Sequence, residues 1–237
     1  MLSIIIPARN ESDNLKDILD YFTKNLNDIE YEVVLINDFS NDDTLIVGER
    51  LFKNYKNFKI FDNTIKGLGG AINLGISKSI GTKIAVMMAD LSDDIEDLKR
   101  YNKLMDENNI DAVLGSRFMK GSKIKDYPFR KLILNRIFNL IVSLIFMNRY
   151  NDYTNAFKIY KKDTLKTIMP FVSESFNIFL EIPLKIISRN YSYEIIEINW
   201  NGRKKGKAKF KIKELRSKYL FTLMYCFFEK ILLNIKK

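Results

Sequence analysis

The sequence of 237 residues contains no histidine and a single cysteine, Cys226. A Ser-His-Asp triad, a Cys-His pair and every metal site that uses histidine are therefore excluded. One cysteine cannot form an internal disulfide bond, which is consistent with a reducing cytosol. A general base that works near neutral pH must then be a carboxylate, a lysine or the substrate itself.

Proline and glycine are also scarce, with 4 and 10 residues, and no repeat or low-complexity tract is visible. Hydrophobic residues make up 46% of the chain, enough for the core of one α/β domain. The N-terminus leads directly into the apolar run 2–6, without the basic segment or cleavage site of a signal peptide. We expect that run to be a first strand.

Uncharged apolar runs of the length that crosses a membrane are missing as well. A membrane-spanning helix needs about 20 such residues. The run 219–228 is too short, and the stretch 129–147 is interrupted by Arg136 and by a polar stripe at Asn135 and Asn139. Both stretches are typical of helices that lie in a membrane interface, where nearby lysines and arginines meet anionic lipid. Packing on the rest of the domain, or a homodimer contact, is the alternative.

Basic residues outnumber acidic ones by 39 to 29, which gives a formal net charge of +10. Such an excess favours an anionic partner, either nucleic acid, nucleotide, phospholipid or lipid phosphate. A basic nucleic-acid-binding protein is one interpretation, but no RRM, KH or helix-turn-helix pattern is present. We therefore expect no nucleic-acid partner.

The first half of the chain alternates apolar strand runs with helical patterns. The strand runs are residues 2–6, 33–36, 58–61, 84–88 and 112–114. This alternation predicts an α/β fold with a doubly wound, mostly parallel sheet, in which ligands bind beyond the carboxyl ends of the strands. The second half adds a helical pattern at 176–187, a strand pattern at 193–200 and a basic run at 203–213.

Two aspartates, Asp38 and Asp90, end runs of this kind. Parallel packing brings both carboxylates to one sheet edge, where a shared divalent cation can neutralise a diphosphate. The alternative is that each only caps the following helix. The glycines of residues 66–70 (KGLGG) fit neither a dinucleotide fingerprint nor a Walker P-loop. They predict close backbone approach with a helix N-terminus facing an anion, or else a tight turn without a ligand.

Five segments, in order, resemble motifs of family 2 glycosyltransferases. They are IIIPARNE (4–11), INDFSNDDT (36–44), KGLGGAINLGISKSIG (66–81), MADLSD (88–93) and LGSRF (114–118). DYTNAFK (152–158), the surroundings of Glu181 and RKKGKAKF (203–210) resemble the polyprenyl-phosphate branch, which is similar to dolichol-phosphate mannose synthases. The resemblance covers about residues 2–212.

That resemblance implies a GT-A domain at 1–212, with a nucleotide-sugar half at about 1–120 and an acceptor half at about 121–212. An amphipathic, membrane-interfacial C-terminal helix would occupy 213–237. The implied reaction moves a hexose from a nucleotide sugar to a polyprenyl phosphate, such as dolichyl or undecaprenyl phosphate. It would proceed with inversion and with Mg²⁺ or Mn²⁺, on the inner, cytoplasmic face of a membrane.

Two other activities remain open. A phosphate acceptor is already anionic, so sugar transfer to it needs positioning and charge stabilisation more than a base. A hydroxyl acceptor on a glycan or a lipid would need a base, for which Asp152 and Glu181 are the candidates. A non-catalytic relative is the third possibility, because Met88 stands where the family has its first metal-turn aspartate, and a thioether is a poor ligand for a hard cation.

The resemblance also implies roles for individual residues. The nucleotide-sugar contacts are Pro7, Asn10, Glu11, Asp38, Lys66, Gly67 and Asp90. The catalytic candidates are Asp90, Arg117, Asp152 and Glu181, and the metal ligands are Asp90 and Ser92. The phosphate and acceptor contacts are Arg117, Arg130, Asn135, Asn139, Asn155, Lys158, Arg203 and Lys209.

Overall fold

The computed structural model of the protein describes residues 1–202 and 212–235. The strands are β1 (Leu2–Ala8), β2 (Tyr31–Asn37), β3 (Phe58–Asp62), β4 (Lys83–Val86), β5 (Ala112–Ser116), β6 (Ile124–Lys125), β7 (Lys158–Lys161), β8 (Tyr193–Glu197) and β9 (Trp200–Asn201). The helices are α1 (Leu15–Asn25), α2 (Thr44–Phe52), α3 (Leu68–Lys78), α4 (Ile95–Asn108), α5 (Phe129–Phe146), α6 (Lys162–Ile168), α7 (Ile178–Ser188) and α8 (Ile212–Ile235).

The main sheet has seven strands in the order β3-β2-β1-β4-β7-β5-β8. β1 pairs parallel with β2 and β4, β2 with β3, and β5 with β8, whereas β7 is antiparallel to both neighbours. The predicted α/β fold with a mostly parallel, doubly wound sheet is thus confirmed. The strand order reverses between β1 and β4, and such a reversal opens a crevice for ligands beyond the carboxyl ends.

The central strands are apolar because helices cover both faces of the sheet. Ile4 and Ile6 pack towards α1, α2 and α4, while Ile5 faces the opposite side with α3 and the helices of the second half. All three side chains are fully buried. Strands buried on both faces read as continuous hydrophobic runs, which explains why they could be recognised in the sequence.

Two long helices, α5 and α8, lie side by side. Phe138 meets Tyr219 with ring centroids 5.6 Å apart, and Phe146 meets Phe227 at 6.4 Å, so the helices run parallel. α8 also packs along α7. Within residues 1–202 and 212–235, neither these nor any other helix combines the length and apolar character needed to cross a bilayer.

The polarity of α5 is inverted with respect to an ordinary surface helix. Its polar stripe faces the protein, where Asn139 is 1% exposed. Its outer side is apolar, with exposed Phe129, Ile133, Leu134, Ile137, Leu140, Ile141, Leu144 and Ile145. The outer side of α8 is similar, with exposed Leu220, Phe221, Met224, Phe228, Ile231 and Leu232. Monomeric soluble proteins rarely expose contiguous apolar surface on this scale.

Candidate active site

The loops after β1 and β2 are joined by hydrogen bonds. The Asn10 backbone amide donates to Ser40 Oγ at 2.9 Å, and Asn10 Oδ1 accepts from the Asn41 amide at 2.7 Å. Glu11 is buried and accepts from Asn14 Nδ2 at 2.6 Å. Of the predicted donor contacts in this region, Asn10 and Glu11 therefore shape the loop beside the crevice, while Pro7 is buried within β1.

Asp38 follows β2 and is 7% exposed. Its Oδ1 atom accepts from the Gly67 amide and from Asn63 Nδ2, both at 2.8 Å. Asp38 therefore holds the turn before α3 and does not cap the helix that follows it, since α2 starts after Asp43. The predicted donor residues Asp38 and Gly67 are in direct contact, whereas Lys66 is exposed beside them.

The glycine turn makes a different contact from the expected one. Gly67 has φ of 115°, a conformation that favours glycine, and the Gly69 amide donates to Glu174 O at 3.0 Å. A Cβ atom on Gly69 would lie 1.9 Å from Ser173 O. The glycines do permit close backbone approach, as predicted, but the Gly69 amide is not available to an anion because it donates to a protein carbonyl.

Asp90 follows β4, which lies on the other side of β1 from β2. Asp38 and Asp90 thus occupy the same sheet edge, as predicted. Asp90 is half-buried, and its Oδ1 accepts from the amide of Ser92 at 3.2 Å. The side chain of Ser92 is buried, and its carbonyl accepts from the Asn201 amide.

Negative charge accumulates at this turn. Asp93 is 3% exposed and accepts from the Met88 amide at 3.4 Å. Burial and, to a smaller extent, the charge of Asp90 together raise the pKa of Asp93 to about 7, although the Met88 amide and Arg117 act in the opposite direction. A divalent cation beside Asp90 would relieve this repulsion, so the turn fits one.

The protein supplies few ligands for such a cation. In the described part of the chain, no three Asp, Glu, Cys or His side chains converge in a way that could hold a metal ion. Met88 contributes to the hydrophobic core in place of a ligand. A metal ion here would depend on Asp90 and on the phosphates of a bound donor.

Arg117, directly after β5, and Asp152, in the loop before β7, form a buried pair. Asp152 accepts from Arg117 Nε at 2.8 Å, from Nη2 at 2.7 Å and from the Arg117 amide at 2.9 Å. The side chains are 8% and 0% exposed. Burial alone would lower the pKa of Arg117, but the Asp152 carboxylate outweighs it and raises the pKa. Asp152 is thus engaged as the partner of Arg117 and is not open to a substrate.

Glu181, the other candidate base, is fully buried in α7. Its Oε1 accepts from the Val172 amide at 2.9 Å and its Oε2 from the Ser173 amide at 2.8 Å. Lys185 Nζ lies 3.0 Å from Oε1. Both carboxylate oxygens are therefore occupied by protein groups. Glu181 holds the backbone at residues 172 and 173 and cannot contact an acceptor.

Lys158 and Asn155 lie beneath the site. Lys158 is 1% exposed, and its Nζ donates to Tyr153 O at 3.1 Å, to Asn155 O and to Phe179 O at 3.5 Å. Phe179 O is the carbonyl that Pro183 leaves without a helical amide partner. Burial lowers the pKa of Lys158 to about 7. Asn155 Nδ2 bonds to the carbonyls of Gly115 and Phe157. Neither side chain is placed to contact an acceptor phosphate.

The polar stripe on α5 holds the loop that precedes β7 through contacts with Tyr153 and Thr154. Asn139 Oδ1 accepts from the Tyr153 amide at 2.6 Å, and Asn135 Oδ1 accepts from Thr154 Oγ1 at 2.7 Å. Asn135 Nδ2 donates to the Tyr127 hydroxyl at 3.0 Å. Asn135 is partly accessible, whereas Asn139 is buried.

A cluster of cations and aromatic rings surrounds Arg117 and was not predicted. Arg117 Cζ lies 5.4 Å from the centre of the Phe118 ring, and Arg136 Cζ lies 5.1 Å from the same ring. Arg117 and Lys131 both approach the Tyr127 ring, at 5.6 Å. Arg136 is exposed. In the sequence, the signal that could have marked Arg136 as part of the site was its position next to Asn135 on α5. Arg130 is exposed six residues earlier, and Arg203 and Lys209 lie outside the described residues.

Known proteins resemble the chain in sequence and in fold. It is 26% identical over 229 residues to a dolichol-phosphate mannosyltransferase of Pyrococcus furiosus, covering 94% of this chain and 63% of that protein. It is 27% identical to a dolichyl-phosphate beta-glucosyltransferase of Dictyostelium discoideum, covering 84% of this chain and 66% of that one. The chain thus spans a little under two thirds of the length of these relatives.

Glucosyl-3-phosphoglycerate synthase of Mycobacterium tuberculosis, solved with Mn²⁺ and UDP, has the same fold. The TM-score is 0.72 at 13% identity, over 95% of this chain and 79% of that one. This confirms the GT-A fold that the motifs predicted. The family model for glycosyl transferase family 2 matches residues 3–176. Because that match covers well over half of the chain, the protein belongs to glycosyl transferase family 2.

Proposed function

We propose that the protein transfers a hexose from a nucleoside-diphosphate sugar to a polyprenyl phosphate. An acceptor phosphate oxygen attacks C1 of the sugar, the bond from C1 to the diphosphate breaks, and the nucleoside diphosphate leaves with inversion at C1. The names of the relatives, dolichol-phosphate mannosyltransferase and dolichyl-phosphate beta-glucosyltransferase, support this acceptor class.

One observation carries the choice of acceptor. Asp152 and Glu181, the two carboxylates predicted as bases for a hydroxyl acceptor, are both fully buried and bonded within the protein. A phosphate monoester needs no base, because it is anionic near neutral pH. The site then has only to position the acceptor and to stabilise the leaving diphosphate, and this favours a phosphate over a hydroxyl.

The donor would occupy the crevice between the loops after β1, β2 and β4. Asn10, Glu11, Asp38 and the Gly67 turn line the nucleoside side, and Asp90 lies on the diphosphate side. Mg²⁺ or Mn²⁺ held by Asp90 and the diphosphate would neutralise charge on the leaving group. The Mn²⁺ in the structural neighbour supports this cofactor. Ser92 would act mainly by orienting Asp90 through its amide.

The acceptor phosphate would bind at the cluster of cations and aromatic rings. Arg117 is held rigid by Asp152, so it offers a fixed positive charge close to Asp93 and the metal turn. Arg136 and Arg130 are exposed on α5 and can reach a phosphate that approaches from outside. Arg203 and Lys209 remain predicted phosphate contacts.

The outer faces of α5 and α8 would rest in the membrane interface on the cytoplasmic side. Both faces are apolar and exposed, and α5 also carries arginines, which suits a surface of anionic lipid. A lipid-linked acceptor is confined to that surface, so this placement would bring its phosphate to the exposed arginines of α5.

The test is a transfer assay with UDP-glucose and GDP-mannose as donors, Mg²⁺ or Mn²⁺, and matched acceptors. Undecaprenyl phosphate should be glycosylated and undecaprenol, its hydroxyl counterpart, should not. Asp90→Ala should lower the rate by about 100-fold or more, as removal of a group that stabilises transition-state charge does. Asp106→Ala, which removes an exposed carboxylate paired with Lys83, serves as the matched control.

Three results would contradict the proposal. One is the absence of transfer with every donor and acceptor pair. Another is an Asp90→Ala variant that is as active as the wild type. The third is preferential transfer to undecaprenol or to a glycan hydroxyl, which would require a base that the geometry of Asp152 and Glu181 does not provide.

A further inference from the structure

The segment Val172–Glu174, here called the strut, lies between the donor turn and the C-terminal helix. On the donor side, Glu174 O accepts from the Gly69 amide at 3.0 Å. The approach is so close that a Cβ on Gly67 would lie 2.5 Å from Glu174 O. The Gly67 amide is the group that donates to Asp38 Oδ1. The strut therefore supports the turn that holds the proposed donor contact Asp38.

The strut is held from behind by α7. Both amides at its start, those of Val172 and Ser173, donate to the Glu181 carboxylate. Lys185, one turn later, pairs with Glu181 and donates to Pro170 O at 2.6 Å, just before the strut. A buried carboxylate with a paired cation and two amide donors fixes the backbone that it binds. Any displacement of that backbone would leave the buried charge without its hydrogen-bond partners, which is costly.

The third support comes from α8. Thr222 is fully buried, and its Oγ1 lies 3.2 Å from Ser173 Oγ and accepts from Asn177 Nδ2 at 2.9 Å. Asn177 Nδ2 also donates to Ser173 Oγ at 2.9 Å. The exposed pair of Lys218 and Glu174 adds a second, weaker link. The opposite side of α8 is the apolar face proposed to meet lipid.

We propose that Glu181 and Thr222 are positioning residues for donor binding, acting through the strut on the Gly67 turn and Asp38. Glu181 fixes the strut to α7, and Thr222 couples it to the seating of α8. A displacement of α8 would move the strut, and through the strut the Gly67 amide. The Asp38 carboxylate, which accepts from that amide, would then lose its fixed position. This inference rests on the proposed function, because it assigns Asp38 to the donor.

The test compares Thr222→Val, which has nearly the same shape without the hydroxyl, with Thr222→Ser, which keeps it. UDP and GDP are titrated into the full chain by calorimetry in the presence of Mn²⁺. Thr222→Val should bind the preferred nucleotide roughly five-fold or more weakly, the lower range of coupling between linked sites. Thr222→Ser should restore the affinity. The control is Thr23→Val, whose hydroxyl bonds only within α1.

A second readout separates positioning from general destabilisation. The Gly69 amide should exchange its hydrogen faster in Thr222→Val, because its acceptor, Glu174 O, is less fixed. The KM for undecaprenyl phosphate should not change. If Thr222→Val does not fold, Ser173→Ala removes the other hydroxyl of the same contact without adding volume, and the same weakening is expected.

The outcomes are distinguishable. Wild-type binding of UDP or GDP combined with unchanged affinity in folded Thr222→Val or Ser173→Ala overturns the coupling and leaves the proposed function intact. An equal rise in the KM values for donor and acceptor also overturns it, because it reports a general loss of structure. A wild-type chain that binds neither nucleotide refutes the proposed function and this inference together.

Discussion

Replacing Asp152 with alanine is the most direct test of the buried pair at the centre of the site. The change leaves the guanidinium of Arg117 buried without the carboxylate that accepts from its Nε, its Nη2 and its amide. Removing one partner of a buried ion pair typically costs about 3–5 kcal/mol, and we expect a loss in that range. Urea unfolding would measure it, followed by circular dichroism and by the fluorescence of Trp200, the only tryptophan.

The double variant Arg117→Met with Asp152→Ala makes the test specific. It removes the stranded charge, so its destabilisation should fall below the sum of the single variants by about 1–3 kcal/mol. Asp106→Ala breaks an exposed pair at 2.6 Å and should cost at most about 1 kcal/mol. A loss below about 1 kcal/mol in Asp152→Ala would refute the reasoning and return Asp152 to the list of candidate bases.

Three further predictions address other parts of the molecule. Because burial lowers the pKa of Lys158 from 10.5 to about 7, the unfolded chain holds a proton that the folded state has released between those values. Stability should therefore rise with pH in that window by up to ~1.4 kcal/mol per unit, and Lys158→Met should abolish the rise in urea unfolding. Gly69→Ala should destabilise the fold by about 1–3 kcal/mol in the same assay, because its Cβ meets the backbone at Ser173. Leu144→Glu, at a position 68% exposed, should weaken sedimentation with anionic vesicles about tenfold or more without lowering the melting temperature.

The sheet was predictable because its strands are buried on both faces. Continuous apolar runs ending at Asn37-Asp38 and Ala89-Asp90 marked both the strands and the edge where they stop. The parallel arrangement then predicted that the two aspartates share one sheet edge. Their positions on either side of β1 follow from the strand order, which only the structure shows. Helix α5 was recognised by a different pattern, because an apolar stretch with a polar residue at every fourth position forms a helix with one polar face.

The engagement of individual side chains was not predictable. Asp152 and Glu181 lie in matching motifs, but nothing in their spacing shows that one pairs with Arg117 and the other with two backbone amides of a distant loop. The glycine turn gave a correct signal for close backbone approach, but the carbonyl that the Gly69 amide contacts, Glu174 O, lies more than a hundred residues away in the sequence. Contacts of this kind depend on the three-dimensional path of the chain, which local patterns do not contain.

Helix α5, with its inverted polarity, connects the proposed acceptor site to the proposed lipid surface. The inward side of the helix holds the loop before β7 through Asn135 and Asn139, which bind residues 154 and 153 respectively. Its outward side is apolar and carries the exposed Arg136, stacked on the Phe118 ring that also contacts Arg117. One rigid helix thus fixes the distance between the apolar face and the cations of the site. In the proposed function, a helix α5 that lies flat in the interface would bring the phosphate of a lipid-linked acceptor to those cations. On that proposal, the apolar face that is unfavourable in water would set the depth at which the acceptor phosphate is bound.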